Sequence, residues 1–150
     1  SFANGIDIDE KRGRFYLAET LADRITAFRL AVKSGDLTDR KVVATVWAPD
    51  NVELDEQGRL WAASPVQSAI YVIDTDDGAT RTVFRVQTAT SERSVAEWSR
   101  RKATQEPLLE LFAPDLWAPM SGAATGVILT PGGGPVYVSG LGDALLKLDR

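Results

Sequence analysis

The chain has 150 residues, of which 44% are hydrophobic and 25% are charged, a balance typical of one globular domain or part of one. With 17 Lys and Arg against 21 Asp and Glu, its net charge of −4 argues against a nucleic-acid-binding protein. The chain contains neither cysteine nor histidine. Disulfides, thiolate nucleophiles, Cys or His metal sites and a Ser-His-Asp triad are therefore excluded within it.

Short β-type segments repeat along the chain about every 45 residues. Three pairs of segments match in order: 4–10 (NGIDIDE) with 50–56 (DNVELDE), 13–18 (GRFYLA) with 58–63 (GRLWAA), and 25–28 (ITAF) with 70–73 (IYVI). Each segment is rich in β-branched and aromatic residues and is bounded by Gly, Asp or Pro. This pattern predicts antiparallel strands joined by tight turns.

A third copy of the repeat begins late in the chain, and a fourth strand closes each of the first two copies. The third copy comprises 126–129, 136–139 and 145–148, and the closing strands are predicted at 41–47 and 80–86. Four strands in each repeat are typical of the blades of a β-propeller. The sequence therefore predicts an all-β fold of about three blades, at about 1–47, 48–112 and, incomplete, 113–150.

An insertion separates the second copy from the third, and it is predicted to contain a short helix near 91–105. Ser94 and Glu97 have the spacing of a capping box, Val95 and Trp98 are three residues apart, and Pro107 would end the helix. A return strand is predicted at 108–112. Two interpretations of the helix remain open, a surface excursion that packs Trp98 on the propeller and a lid or partner-contact element over one face.

Asn4 and Asp50 occupy equivalent positions of adjacent repeats, and Asn51 follows Asp50 directly. In a propeller, residues just before the innermost strands converge at one end of the central channel. Amide and carboxylate oxygens in such a ring suit a hard cation such as Ca²⁺, which takes six to eight oxygens. Asn and Asp also cap turns, so the spacing alone leaves a metal site and simple turn capping both open.

Other polar and aromatic residues are weaker candidates. The glycines at 132–134 lack the Lys and Ser or Thr of a phosphate loop and are predicted to form a hairpin turn. Without histidine, no serine is predicted to be a nucleophile. Glu19 and Asp23 follow the second strand and receive no role. The aromatic residues Tyr16, Trp47 and Trp61 are predicted to belong to the core between blades, and Trp47 could also line a pocket. The serines without a histidine partner are Ser64, Ser121 and Ser139.

Residues 2–8 (FANGIDI) and 15–21 (FYLAETL) resemble the paraoxonase/arylesterase family, and residues 49–55 (PDNVELD) resemble the next blade of that family. The wider group of gluconolactonases, senescence marker protein and strictosidine synthase-like proteins shares the Asn-Gly and the later Asp. Asn51 is the more paraoxonase-like feature, because gluconolactonases usually have Gly there. The resemblance covers nearly the whole chain outside the helical insertion.

This resemblance implies a six-bladed propeller with calcium, or another divalent cation, in its tunnel. The matching metal ligands are Asn4, Asp50 and Asn51, and the remaining ligands are expected from earlier blades. The chain begins without a start methionine or signal peptide and ends within a strand-like run. We therefore expect a later-half fragment that is inactive alone. Ser64 and Pro65 stand where paraoxonases carry a histidine, which favours a lactonase over an arylesterase or phosphotriesterase.

The function that the resemblance implies is calcium-dependent hydrolysis of lactones or esters. Calcium would polarise the carbonyl, and Asp50 would accept a proton from the attacking water, although a calcium-bound carboxylate is a weak base. The expected partner is a small-molecule lactone or ester. We expect neither nucleic acid nor a membrane-spanning segment, because no apolar run approaches about 18 residues. The alternatives are a strictosidine synthase-like enzyme and a non-catalytic binding propeller.

Overall fold

The computed structural model describes residues 1–112 and 124–150. Its strands form three antiparallel sheets. The first sheet contains β1 to β4 (Ala3–Asp9, Arg14–Glu19, Arg24–Ala31 and Asp36–Thr45), and the second contains β5 to β8 (Val52–Leu54, Arg59–Ser64, Ala69–Asp74 and Thr80–Arg85). The third contains β9 to β11 (Ala124–Leu129, Val136–Gly140 and Leu146–Leu148), and helix α1 (Ala89–Thr104) lies between the second and third sheets in the sequence.

Each sheet is a meander in which sequential strands pair. The prediction of an all-β fold with about three blades is confirmed, since two sheets have four strands and the third has three in the described residues. The limits of the blades at 1–47, 48–112 and 113–150 stay a prediction. The glycines at 132–134 lie in the connection between β9 and β10, as predicted, where Pro131–Gly133 forms a 3₁₀ turn.

The sheets stack face to face, so the middle sheet is covered on both sides. Tyr16, Ile25, Leu60 and Ile73 belong to the apolar core between the first and second sheets. A second core, which includes Trp61, Ile70, Val127 and Val138, lies between the second and third sheets. Because both faces of the middle sheet are covered, residues 60–64 of β6 and 69–73 of β7 are all buried. The prediction that Tyr16 and Trp61 are core residues is confirmed.

The innermost strands β1 and β5 meet at what we call the first junction. Gly5 N donates to Asp50 O at 2.9 Å. Further along the same strands, Leu54 N donates to the Asp7 carboxylate at 2.6 Å. The first junction thus combines one main-chain bond with one carboxylate that crosses to the next blade.

The same arrangement recurs between β5 and β9, which we call the second junction. Asn51 N donates to Thr125 O at 3.2 Å, and Leu129 N donates to the Glu53 carboxylate at 3.0 Å. An additional bond joins Val127 N to Asn51 Oδ1 at 3.2 Å. The recurrence shows that the sequence repeat is also a repeat of inter-blade geometry.

The helix begins earlier than predicted. Thr88 is its N-cap, and a capping box joins Thr88 to Ser91, so the prediction of a capping box at Ser94 and Glu97 is wrong. The reason is that Ser94 is buried one turn inside the helix, where its hydroxyl donates to Thr90 O at 3.1 Å. As predicted, the helix ends before Pro107, with Gln105 in a left-handed conformation at its C-cap.

The predicted return strand at 108–112 is also wrong, because Leu109–Phe112 is a 3₁₀ turn. Leu111 N donates to Leu108 O at 3.0 Å, which closes the turn. Leu111 is buried and Leu108 is partly buried in a cluster with Trp98. Side chains three residues apart share one face of a turn, so turning lets both leucines cover Trp98, which a strand with alternating faces would not allow.

Helix α1 arises from the second blade and packs across the first. Trp98 is fully buried against Ala48, Val66 and Leu111, so the interpretation that Trp98 packs on the propeller is confirmed. Lys102 forms an ion pair with Asp23, whose other carboxylate oxygen accepts from Ala48 N at 2.9 Å. In the described part of the chain, no helix is both long and apolar enough to cross a membrane.

Candidate functional site

A cavity of about 390 Å³ lies at the end of the sheets where β1 begins. Asn4 reaches it from β1, and Asp50 and Asn51 reach it from the segment that leads into β5. The structure therefore brings together the three residues singled out in the sequence. The other residues that line the cavity are Phe2, Gly5, Thr20, Leu21, Pro65, Leu109, Thr125 and Leu141.

Gly5 allows the close approach that forms this cavity. A Cβ atom at Gly5 would lie 2.3 Å from Asp50 O and 2.7 Å from Asn51 Cα. Real Cβ atoms do not approach backbone atoms so closely, and neither backbone atom can move without shifting β5. The glycine after Asn4 is thus required for β1 to lie against the segment that carries Asp50.

Asp50 is a partly buried carboxylate with little compensation. Burial raises the pKa of the Asp50 carboxyl, and a hydrogen bond from the Asn4 side chain opposes this rise without cancelling it. No Lys or Arg is among the described residues that line the cavity. A carboxylate that has lost water and gained only an amide donor favours binding of a cation.

Asn4 is oriented by Thr20, a residue to which the sequence drew no attention. Asn4 Nδ2 donates to Thr20 Oγ1 at 3.3 Å, and Thr20 Oγ1 donates to Pro49 O at 2.8 Å. Thr20 and Pro49 are 29 residues apart, and no motif or repeat in the sequence links them.

Asn51 is shared between the cavity and the second junction. Its Oδ1 accepts from Val127 N, and its main-chain N and O bond to Thr125 O and to Ala63 N. A carbonyl oxygen has a second lone pair, so the Asn51 side chain could still bind a cation, but it is held by the third blade. The sequence did not reveal this contact, because it depends on the register of β9.

Thr125 was also missed, although the repeat contained a signal for it. The bond from Asn51 N to Thr125 O corresponds to the bond from Gly5 N to Asp50 O. Thr125 therefore occupies the third-blade position that corresponds to Asn4 and Asp50. Extending the repeat alignment one residue back from Gly126 would have identified it as a further polar residue of the cavity.

Apolar side chains form the remaining wall of the cavity. Phe2, Leu109 and Leu141 line it with 47%, 65% and 60% of their surfaces exposed. Leu109 belongs to the 3₁₀ turn after α1, so the inserted segment contributes directly to the cavity. A single carboxylate facing an apolar wall suits a small molecule with one polar group and a hydrocarbon part.

The other singled-out residues lie away from this cavity. Glu19 is buried and accepts from Arg24 at 2.6 Å, from Arg40 at 2.9 Å and from Thr26 at 2.5 Å. The hydrogen bond from Arg24 is the main reason that the pKa of Glu19 is lowered well below its usual range. This cluster holds three strands of the first sheet together, a role that the sequence did not assign to Glu19.

The aromatic and hydroxyl candidates supply no nucleophile in the described residues. Trp47 packs with Trp98 and is not one of the described residues that line the cavity. Ser64 is buried and donates to Trp47 O at 2.5 Å. Ser139 is exposed on β10, and Ser121 lies outside the described residues.

The donors in the cavity fit calcium by their chemistry. One carboxylate and two amide side chains offer the hard oxygen ligands that Ca²⁺ prefers. Residues 1–112 and 124–150 contain no cluster of three or more His, Cys, Asp or Glu side chains that could hold a metal. Asn4, Asp50 and Asn51 thus fit part of a calcium shell rather than a complete one.

A family model described as "SMP-30/Gluconolactonase/LRE-like region" matches residues 1–96, which include Asn4, Asp50 and Asn51. The chain belongs to this family. The predicted superfamily is thereby confirmed, and the paraoxonase-like subtype stays a prediction. A comparison with curated proteins finds no match.

Solved structures similar to this SMP-30/gluconolactonase-like chain include a luciferin-regenerating enzyme (17% identity, TM-score 0.62) and a gluconolactonase from Xanthomonas campestris (21%, 0.60). They are matched over 93% and 95% of this chain, which spans 38% and 36% of theirs. A virginiamycin B lyase from Staphylococcus aureus has 12% identity and a TM-score of 0.52, with 99% of this chain and 41% of the lyase covered. At these identities the likeness shows the fold, a partial propeller.

Proposed function

We propose that the protein containing this chain is a calcium-dependent hydrolase of lactones or esters, and that the cavity at the first junction is part of its active site. The family match and the gluconolactonase fold support a lactonase-like function. The observation that carries the proposal is the contact between Asn4 and Asp50, two residues 46 positions apart, in a cavity with an apolar wall.

Asn4 Oδ1, the Asp50 carboxylate and Asn51 Oδ1 are the proposed metal ligands, with further ligands from outside this chain. Calcium bound there would supply Lewis-acid polarisation of the substrate carbonyl. The raised pKa of Asp50 supports this assignment, because a buried carboxylate without a cationic neighbour is stabilised by a bound cation.

The chain's own residues have two further roles in the proposal. The Asp50 carboxylate accepts a proton from water as the water oxygen bonds to the carbonyl carbon, and it returns that proton to the alkoxide oxygen that is released when the C–O bond of the lactone or ester breaks. Ligation of a metal makes the carboxylate a weaker base for this step. Phe2, Leu109 and Leu141 bind the hydrocarbon part of the lactone or ester and exclude bulk water from the carboxylate. Exclusion of water strengthens the electrostatic interactions in the cavity.

The test is calcium titration of the protein containing this chain, with hydrolysis of a lactone and ester panel followed in parallel. Replacing Asp50→Asn removes the charged ligand and keeps the side-chain shape, so calcium affinity and hydrolysis should fall together by about a hundredfold. Asp36→Asn is the matched control, because Asp36 is an exposed carboxylate that begins β4, away from the cavity. It should leave both quantities unchanged.

The same experiment separates the alternatives. Full hydrolysis by the Asp50→Asn variant in chelator would contradict the proposal. Calcium binding without turnover of any lactone or ester would favour a non-catalytic binding propeller. Conversion of a substrate by a reaction other than hydrolysis, with no hydrolysis of any lactone or ester, would favour a strictosidine synthase-like enzyme.

A further inference from the structure

Thr20 connects the first blade to the segment that leads to the second, and both its main-chain N–H and its hydroxyl form hydrogen bonds. It begins the 3₁₀ turn Thr20–Ala22 after β2 and is 5% exposed. Its main-chain N donates to Phe2 O at 2.9 Å. Its side chain contacts Asn4 from the first blade and Pro49 from the segment that leads to the second.

The direction of each hydrogen bond around Thr20 follows from its partners. Pro49 O is a carbonyl and can only accept, so the Thr20 hydroxyl proton lies on the 2.8 Å bond to Pro49. The hydroxyl oxygen can therefore only accept from Asn4, at 3.3 Å. An amide oxygen cannot donate, so the group of Asn4 that faces Thr20 is its NH₂ group.

This arrangement determines what Asn4 presents to the cavity. Only the NH₂ group can donate the hydrogen bond by which the Asn4 side chain lowers the pKa of Asp50. The contacts with Thr20 and with Asp50 therefore select the same orientation of the amide. Within residues 1–112 and 124–150, no hydrogen bond uses Asn4 Oδ1. If the amide were flipped, two N–H groups would point where a cation is expected, and their positive hydrogens would repel it.

We propose that Thr20 is a positioning residue that sets the orientation of the Asn4 amide for cation binding and ties it, through Pro49, to the segment that carries Asp50. This inference rests on the proposed function, because Asn4 and Asp50 are metal ligands only under that proposal. Thr20 itself need not touch the metal or the substrate. Mutation of a neighbour that orients a metal ligand typically lowers metal affinity by about 10–100-fold.

The experiment compares three variants of the protein that contains this chain by calcium titration calorimetry. Thr20→Val keeps the shape but removes the hydroxyl, and it should weaken calcium binding by about tenfold or more. Thr20→Ser keeps the hydroxyl and should stay within about threefold of wild type. Thr26→Val is the matched control, because Thr26 is a buried threonine whose hydroxyl donates to Glu19, away from the cavity.

Thermal unfolding in chelator is measured alongside, so that lost stability is not mistaken for lost positioning. Thr26→Val should lower the melting temperature at least as much as Thr20→Val, yet bind calcium as wild type does. Wild-type affinity in Thr20→Val would overturn the inference. So would a Thr20→Ser variant as weak as Thr20→Val, or a control that weakens binding equally.

A second readout separates failure of this inference from failure of the proposed function. If the wild-type protein binds no calcium, the proposed function is wrong, and the Thr20 contact is then judged without metal. In chelator, the ¹⁵N–¹H side-chain signals of Asn4 should shift in Thr20→Val and not in Thr26→Val. Unchanged Asn4 signals in Thr20→Val would overturn the positioning role.

Discussion

The two junctions between neighbouring blades use the same bonds but have different consequences. At each junction, a main-chain N–H of the inner strand donates to a carbonyl of the next inner strand, Gly5 to Asp50 and Asn51 to Thr125. At each, a carboxylate of one inner strand accepts a main-chain N–H of the next. The shared bonds therefore explain how the blades are spaced, and they do not explain where the cavity forms.

The difference lies in the residue that faces the next strand. Gly5 has no side chain, so β1 comes close to β5, and Asn4 and Asp50 meet without an intervening group. At the second junction the equivalent residue is Asn51, whose amide oxygen accepts from Val127 N. The first junction thus leaves polar side chains available to a ligand, whereas the second uses a polar side chain to bind the blades.

Substitution at Gly5 should break the first junction most strongly. Gly5→Ala places a methyl group 2.3 Å from Asp50 O, so the free energy of unfolding should fall by about 1–3 kcal/mol. Calcium affinity should fall as well, because β1 and β5 are pushed apart. Urea unfolding in chelator and calcium titration measure the two effects.

Gly126→Ala is the control for this prediction, at the glycine that is equivalent in the third blade. There the new methyl group meets mainly the Ser139 Oγ atom, at 2.4 Å. Because that hydroxyl is the end of an exposed side chain and can rotate away, the loss should be well under half that of Gly5→Ala. Equal losses in both variants would show that Gly5 has no special role at the first junction.

Asn51→Ala should separate stability from metal binding at the second junction. It leaves Val127 N without its acceptor, so the free energy of unfolding should fall by about 1 kcal/mol. In the described residues, no main-chain N–H donates to the Asn4 side chain, so Asn4→Ala should lower the free energy of unfolding by less. It should, however, weaken calcium binding more, as titration would measure. The reverse pattern would show that Asn51 acts more as a metal ligand than through its bond to Val127 N.

Asp7 and Glu53 are the carboxylates that cross the first and second junctions. Of the substitutions discussed, Glu53→Gln should have the smallest effect on stability. Burial is the main cause that raises the pKa of Glu53, and the nearby charge of Asp7 adds to it, while the bond from Leu129 N opposes both. A carboxyl group with a raised folded pKa contributes stability that is present below its unfolded pKa of about 4.5 and lost as pH rises through the folded value.

The Gln variant keeps an acceptor for Leu129 N and cannot ionise. Wild type should therefore lose stability relative to the variant as pH rises from about 4.5 to 7, by a few tenths of a kcal/mol. Urea unfolding at several pH values measures this difference. If the difference in the free energy of unfolding between wild type and Glu53→Gln is the same at every pH, burial of the ionised Glu53 carboxylate has no cost.

The sequence predicted the parts of the fold that depend on local pattern and repetition. Strand residues alternate or run apolar, turns carry Gly and Asp, and the repeat places Asn4 and Asp50 at equivalent positions. Equivalent positions on neighbouring blades converge in space, so the contact between Asn4 and Asp50 could be foreseen. The helix was predicted in the right region because Trp98 and Val95 mark an apolar face.

The sequence did not predict features that depend on distant partners. The hydroxyl of Thr20 has its acceptor 29 residues away, and Asn51 Oδ1 has its donor 76 residues away. The segment at 108–112 carries apolar residues that suit a strand, yet the need to cover Trp98 selects a turn. Such choices depend on packing between elements, which a short window of sequence does not contain.

The position of α1 has a consequence for the order in which this chain acquires its structure. Its docking surface includes Leu21 from the first blade, Trp47 and Ala48 from the link between blades, and Val66 from the second. Its ion pair joins residues 79 positions apart, Asp23 and Lys102. Contacts of such long range form late, because the intervening chain must first be ordered. We therefore expect the amides of α1 to gain protection from hydrogen exchange late during refolding and to lose it early when the native protein opens locally.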